Sequence, residues 1–458
     1  MSVKEKQQSP QRTITEYLDN EYAAYGMYTI ENRAIPSAID GFKPTQRKII
    51  FVANRIWKGG NDKPLKVFQF GGKIASDAQY HHGDTSLNAA IIGMAQSFKN
   101  SMPLLDSIGQ FGSLRSPEPG APRYISTKLN GNFRLIYKDF ELLESQFEEG
   151  YEIEPTHFLP IIPTVLLNGS SGIAVGFATN IMNRNPIDLI DSCLKSLDGK
   201  KFIEPLPWWS AYNGPVTKNT EVSTSTFQLA GRLEVQNTTT IKISELPPSM
   251  TYQKFEAHLN WLQDKGVIQY YDDNCTKNEI SYTIKMSRAE LASRQQKDNL
   301  MQTFKLIENE TENLTCLDEN GKLIIFKNVT DLINYFVKFR LTFYDKRKKY
   351  MLDQLADQHN KMSNRAKFIK SIIDNKLKVN NRPKQDIVTD LEKMKFDKIE
   401  FSYDYLLNMA IHSLTKEKYE ELLKQIGENE SESKRINAIA PIDMYREDLK
   451  ELRKKLAK

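Results

Sequence analysis

The 458-residue chain is poor in cysteine, in long apolar runs and in net charge, and each shortage removes a class of protein. Its three cysteines, Cys193, Cys275 and Cys316, are scattered and odd in number. That argues against a disulfide framework and against a zinc site, and it fits a reducing, intracellular compartment, the cytoplasm. No apolar run reaches the roughly 18 residues of a membrane span, and the polar start Met1–Gln11 lacks the core of a secretion signal. Net charge is 63 − 58 = +5, a mild excess that only its placement makes informative. No nucleotide P-loop is present: the Gly- and Ser-rich stretch 168–180 lacks the Gly-Lys-Ser ending that would hold phosphates. What remains, 40% hydrophobic and 26% charged, is a folded globular protein long enough for two to four domains.

The most informative stretch is Gly109-Gln-Phe-Gly-Ser-Leu-Arg-Ser-Pro-Glu-Pro-Gly-Ala-Pro-Arg-Tyr124. Three Gly and three Pro in these residues forbid a regular element and predict a presented loop. Pro122 fixes its own φ and pushes Ala121 towards extended backbone, so Arg123 and Tyr124 stand on a stiff stalk. A tyrosine with its ordinary pKa of about 10 is a poor nucleophile at neutral pH. A neighbouring guanidinium favours the phenolate and binds charge that grows on an attacked phosphate. Taken alone, an exposed Tyr in an ordinary turn is the commoner meaning.

Upstream, Tyr17, Tyr22, Tyr25 and Ile30 predict a helix after a frayed, polar tail of residues 1–12. Asp40-Gly41 is a turn signal, and Pro44 opens a helix with Ile49, Val52, Ala53 and Ile56 on one face and Arg47, Asn54, Arg55 and Lys58 on another. Tyr80-His-His-Gly-Asp84 precedes a second helix, Thr85–Lys99, for which Asp84 is a good N-cap. Two short helices joined by a polar segment form a helix-turn-helix layout of the kind that enters a DNA groove. Arg33, Lys43, Arg47 and Lys66 surround it and would neutralise phosphates. His81 and His82 point apart on a helix and lack a third ligand. Phosphate contact or a structural role therefore suits them better than metal.

Later segments alternate as strands (231–236, 239–246, 280–285) around a helix at Phe255–Lys265, a mixed α/β region. From Leu332 a helical seam runs through Phe336, Phe343, Met351, Leu355, Met362, Ile369 and Ile373, long enough for a coiled-coil arm. Asn380-Asn-Arg-Pro383 ends it. A small helical unit with Tyr405, Leu406, Met409 and Ile411 follows, and Tyr445, Leu449, Leu452 and Leu456 predict a second arm antiparallel to the first.

Four fragments, Arg33-Ala-Ile-Pro-x-x-x-Asp40-Gly-x-Lys43-Pro-x-x-Arg47, Tyr80-His-His-Gly-Asp84, Gln110-Phe-Gly-Ser113 and Ala121-Pro-Arg-Tyr124, occur in the order and spacing of one family. The chain resembles the breakage–reunion component of type IIA DNA topoisomerases: the gyrase A-subunit, the topoisomerase IV C-subunit and the central part of eukaryotic topoisomerase II. His-His-Gly-Asp departs from the bacterial gyrase form and is closer to the eukaryotic one. The resemblance implies a multidomain α+β chain. It would have a winged-helix DNA-binding domain at 13–150, an α/β tower domain at 151–330, and coiled-coil arms with a small helical C-gate at 331–458. It implies Tyr124 as nucleophile, Arg123 as its charge partner, Ile173 as a wedge between base pairs, and DNA contacts at Arg33, Lys43, Arg47, Lys66, His81 and His82. Double-stranded DNA, a homodimer through the C-gate, and partner subunits binding ATP and Mg²⁺ are implied as well. Nothing in the chain resembles an ATP site or the acidic Asp-x-Asp metal site, so both cofactors are expected on those partners and no metal on this chain. The chain carries no DNA-wrapping segment after the second arm, so relaxation and decatenation are expected. Two rivals remain: a non-catalytic DNA-bending protein of this fold, and a tyrosine recombinase or nicking enzyme. The latter would need its own Arg and His cluster around the tyrosine.

Overall fold

The computed structural model describes residues 13–59, 62–276, 279–296, 299–399, 401–410 and 413–457; the tail 1–12 and Ile411 lie outside them. The described residues fall into two units, one drawn from Met1–Arg340 with Asp448–Lys458, the other from Leu341–Glu447. Among them no helix is long and apolar enough to cross a membrane.

In the first unit, residues 14–34 form the expected helix. Thr13 and Glu16 cap it reciprocally, Glu16 N–H donating to Thr13 Oγ1 at 3.2 Å and Thr13 N–H to Glu16 Oε2 at 3.0 Å. Two π-type turns interrupt it at Leu18–Tyr22 and Ile30–Ala34. Its tyrosines, Tyr17, Tyr22, Tyr25 and Tyr28, face solvent. The Asp40-Gly41 turn follows, with Gly41 at φ +71° and so close to Val165 N that a Cβ would sit 2.5 Å away. Only glycine tolerates both.

Helix α1 (Pro44–Ile56) buries Ile49, Ile50, Phe51, Val52 and Ala53. The sequence suggested that a polar segment joins α1 directly to the next helix. Instead a further helix, α2 (Val67–Asp77), lies between them. Its paired Gly71-Gly72 reads as a break because glycine weakens helices by about 1 kcal/mol each. Here Gly71 serves close packing: a Cβ on it would lie 2.9 Å from Asn88 Oδ1 on helix α3 (Asp84–Ala95). Gly83, not Asp84, is the N-cap of α3, and Asp84 is its first helical residue. The helix stops at Ala95, short of Lys99, because Gln96 turns extended and its Nε2 donates to Phe111 O at 2.7 Å. Short strands β1 (Leu65–Lys66) and β2 (Ser126–Thr127) pair antiparallel and frame the Tyr124 loop.

A two-stranded hairpin, β3 (Ser170–Ile173) with β4 (Ala178–Ile181), comes next. Beyond it a four-stranded antiparallel sheet forms from β5 (Arg232–Asn237), β6 (Thr240–Glu245), β7 (Tyr270–Asp273) and β8 (Tyr282–Lys285), in the order β5-β6-β8-β7. Helix α4 (Tyr252–Asp264) packs on it, and Ile241, Ile243, Phe255, Leu259, Tyr282 and Ile284 share one core. All three strands and the helix expected here are present. Arg184 and Glu312 make a fully buried ion pair at 2.7 Å, and Arg184 Nε also donates to Pro205 O at 2.7 Å.

Helix α5 (Val329–Ile373) runs 45 residues without a break. Within the second unit its antiparallel partner is helix α6 (Lys416–Ala438), not the closing stretch alone. Tyr344 stacks on Tyr445 with ring centres 4.6 Å apart. Lys348 Nζ donates to Ile439 O at 2.9 Å, His359 approaches Glu430 at 3.2 Å, and Ala366 and Ile369 cluster with Leu422. One number rises as the other falls, which is the register of antiparallel helices. The α6 seam, Tyr419, Leu422, Ile426 and Ile436, is thin among charged residues and hard to see by periodicity. Helix α7 (Pro441–Leu456) then carries the expected closing residues. Phe368, Leu377, Ile387, Leu391, Phe396, Tyr403 and Leu406 form a small core of their own.

Candidate active site

Tyr124 is 72% exposed at the end of a loop whose course is set by backbone hydrogen bonds. Phe68 N–H donates to Pro122 O at 3.2 Å and Val67 N–H to Ile125 O at 3.1 Å, sewing the stalk to the start of α2. Ile108 and Ser126 exchange bonds of 3.0 and 2.9 Å, and Gly120 N–H reaches Gln110 O at 2.8 Å. Tyr124 N–H closes a turn on Ala121 O at 2.9 Å. Lys66, expected at phosphates, donates from Nζ to the Tyr124 carbonyl at 2.8 Å. The Arg123 guanidinium carbon lies 5.9 Å from the Tyr124 ring centre. Arg123 also lines an open cleft of about 850 Å³ with Asp84 and Thr85 at the start of α3. The structure thus gathers the phenol, two cations and a helix N-terminus, whose free N–H groups favour anions.

The tie between this loop and the sheet β5–β8 escaped the sequence. Arg115 Nη1 donates to Cys275 O at 2.8 Å and Nη2 to Asp273 at 2.7 Å, and Tyr252 N–H reaches Leu114 O at 3.4 Å. Only a partner some 160 residues away distinguishes Arg115 from an ordinary loop arginine.

Arg47 is engaged within the protein. Expected on a phosphate-facing surface, it forms a bidentate pair with Asp40, Nε to Oδ2 at 2.7 Å and Nη2 to Oδ1 at 3.0 Å. Its side chain is 12% exposed and that of Asp40 not at all. Burial opposes the Arg47 charge, and the carboxylates of Asp40 and Glu154 outweigh it, holding the guanidinium protonated. Asp40 also accepts from Phe42 N–H and Phe158 N–H, each at 3.0 Å. The pair fixes the turn into α1.

The two histidines diverge. His82 Nε2 meets the Tyr28 hydroxyl at 2.9 Å, and its ring packs edge-on to Tyr80 at 5.4 Å. Tyr80 is raised chiefly by burial, with a Thr45 hydrogen bond and the nearby Arg33 charge opposing. Arg33 is exposed beside this aromatic group. His81 turns the other way, to Glu148 at 3.8 Å. Among the described residues no three His, Cys, Asp or Glu side chains gather where a metal ion could sit, and the side chains placed against Tyr124 are those of Arg123 and Lys66, with Asp84 the one carboxylate lining the adjoining cleft. The residues beside Tyr124 do not fit a divalent cation.

Ile173 stands 89% exposed on β3, opposite Ala178. Ala174 N–H closes the hairpin turn on Phe177 O at 2.8 Å. Lys43 is drawn to this hairpin and not to the Tyr124 loop: its Nζ donates to Ser171 O at 2.6 Å. Burial lowers its pKa.

Comparison with known proteins gives the family. Residues 33–450 match the family described as the A-subunit of DNA gyrase/topoisomerase IV. The chain is 33% identical over 446 residues to the DNA topoisomerase medium subunit of phage T4, covering 96% of this chain and 99% of that one. It is 33% identical over 464 residues to the mitochondrial DNA topoisomerase 2 of Dictyostelium discoideum, covering 97% of this chain and 35% of that protein. Human DNA topoisomerase 2-alpha is 30% identical and is covered over 31% of its length. The chain therefore spans about a third of these eukaryotic relatives. The crystal structure of the Plasmodium falciparum topoisomerase II DNA-binding, cleavage and re-ligation domain superposes with a TM-score of 0.87 at 32% identity, over 96% of this chain and 64% of that one. On the match over residues 33–450 and the likeness along nearly the whole T4 protein, the chain belongs to the DNA gyrase/topoisomerase IV A-subunit family.

Proposed function

We propose that the chain is the DNA-cleavage and religation subunit of an ATP-dependent type IIA DNA topoisomerase. The observation that carries this is Tyr124, exposed on a backbone-braced stalk with Arg123 beside it. The Tyr124 phenolic oxygen attacks a backbone phosphorus, forming the O–P bond as the bond from phosphorus to the 3′ oxygen breaks. The phenol gives up its proton and the departing 3′ oxygen gains one. Arg123 binds the charge that develops on the phosphoryl oxygens, where a preorganised cation is most effective. The resulting 5′-phosphotyrosine diester keeps the bond energy, so attack by the 3′ hydroxyl reseals the strand without a further energy source. Relaxation and decatenation follow when a second duplex passes through the break.

Residues 13–150 act as a winged-helix domain, 151–330 as a tower and 331–458 as coiled-coil arms with a C-gate. Ile173 wedges between base pairs and bends the duplex, as apolar side chains do when they unstack a step. The exposed Arg33, His81 and His82 line the phosphates; Lys66 braces the stalk that presents Tyr124, and Arg47 supports the site through the buried Asp40 pair. Two copies meet at the C-gate, where Phe401 is fully exposed. Mg²⁺ and ATP are held by partner subunits; the metal's charge would offset that of the phosphate and leaving oxygen. Likeness to the T4 protein supports action in the cytoplasm of a phage-infected bacterium.

The test is to mix the chain with partner subunits, Mg²⁺ and supercoiled plasmid, quench with detergent, and assay protein joined to DNA 5′ ends. The adduct is expected with the wild type and absent with Tyr124→Phe. An adduct that survives moves the nucleophile elsewhere. DNA binding and bending with no adduct from the wild type favours the architectural reading.

A further inference from the structure

We infer that Lys43 is a positioning residue for the hairpin that carries Ile173, and not a phosphate ligand. The inference rests on the proposed role of Ile173 as a DNA wedge. A two-stranded hairpin is marginal by itself in water, and each strand here has only four residues. Its shape must come from what grips its outer edges. On the β4 side, Asn180 N–H and C=O are both met by Asn313, at 3.0 and 2.9 Å, and Asn180 Nδ2 donates to Thr311 O at 3.0 Å. On the β3 side the outward carbonyl of Ser171 is met by the Lys43 ammonium at 2.6 Å. Next to it, Gly172 lies so close to the chain that a Cβ would sit 2.2 Å from Ala34 O and 3.1 Å from Lys43 Nζ. Ala174 packs into the small cluster of Ala34, Ile35 and Leu317.

Lys43 is itself held. Its N–H donates to Gln46 Oε1 at 3.0 Å, at the start of α1. Its stem and ammonium therefore run from a fixed helix start to the strand bearing the wedge, two residues before Ile173. A charge-assisted bond to a carbonyl is among the stronger hydrogen bonds. Ile173 is 89% exposed and pairs with Ala178 in its own hairpin's ladder, so the hairpin's edge contacts bear on where the isoleucine points.

Three readouts test this on the full chain: hydrogen exchange of hairpin amides without DNA, bending of an end-labelled duplex by energy transfer, and the salt dependence of DNA affinity. Lys43→Met is expected to speed exchange across residues 170–181 by about tenfold, the scale of one lost charge-assisted hydrogen bond. It should reduce the bent population as far as Ile173→Ala does, and the double variant should be no worse than Ile173→Ala alone. The slope of log affinity against log salt should stay unchanged. A slope smaller by about 0.9, the signature of one lost phosphate contact, with exchange and bending intact, overturns the inference. If Ile173→Ala itself bends DNA normally, the wedge reading falls, while faster hairpin exchange in Lys43→Met still upholds the tie between Lys43 and the hairpin. Melting curves guard the comparison, and Lys43→Gln replaces Lys43→Met if the latter unfolds.

Discussion

Lys66 donates its ammonium to the backbone carbonyl of Tyr124 at 2.8 Å, so this cation braces the main chain of the nucleophile. Lys66→Met should slow single-turnover cleavage on the order of tenfold, because small misplacements of a reacting group cost rate steeply. DNA affinity should change by less than about twofold, within the worth of one weak contact. A large affinity loss with normal cleavage at saturating DNA would assign Lys66 to phosphate binding alone.

The Arg47–Asp40 pair makes the opposite prediction. Asp40 is wholly buried, and Arg47→Met would leave its carboxylate uncompensated. Removing one partner of a buried pair costs about 3–5 kcal/mol. Urea unfolding should show that loss. A variant that melts normally and only binds DNA less well would return Arg47 to the surface role that its sequence suggested.

Arg115 links the nucleophile's loop to the sheet β5–β8 through Asp273 and Cys275. Its side chain is about half exposed, so Arg115→Met should cost less than about 1 kcal/mol of stability. Cleavage by the folded variant should nonetheless slow several-fold at unchanged affinity. Equal cleavage rates in quench-flow would show that the loop keeps its place without this tie.

The thiols give a pH-dependent prediction. Cys193, Cys275 and Cys316 are all buried, and burial pushes the Cys275 thiol up to about 11 and the other two higher still. Only the thiolate attacks disulfide reagents. At pH 8 a native sample should therefore show no fast-reacting thiol, and reaction should quicken as pH approaches 11. All three should react at once in denaturant. A fast native thiol at pH 8 would contradict the burial.

The parts of the molecule that could be read from the sequence are those fixed by local chemistry. Pro122 and the glycines around it announce the stalk, and the seam from Leu332 to Ile373 announces α5. What stayed hidden depends on partners far away in the chain or on burial. Lys43 meets Ser171 across 128 residues and Arg115 meets Cys275 across 160, distances at which no spacing rule operates. Arg47 shows a charge in sequence but not that Asp40 lies buried against it. Helix α2 contains two adjacent glycines, poor helix formers, of which Gly71 serves as a packing notch against Asn88. Helix α6 was lost because its seam is thin and polar residues crowd it.

Apart from the Arg115 tie and the Ser113 hydroxyl, the Tyr124 loop is held by main chain speaking to main chain, with Lys66 and Gln96 also reaching backbone carbonyls. Such an architecture separates shape from identity. The side chains of Ser116 and Glu118 should therefore be replaceable with little penalty while the tyrosine stays where chemistry needs it. The freedom ends at Gly112, at φ +88° with a would-be Cβ 2.4 Å from Pro117 O. In a saturation scan, tolerance at 116 and 118 should fall away sharply at that glycine, marking where evolvability stops and geometry begins.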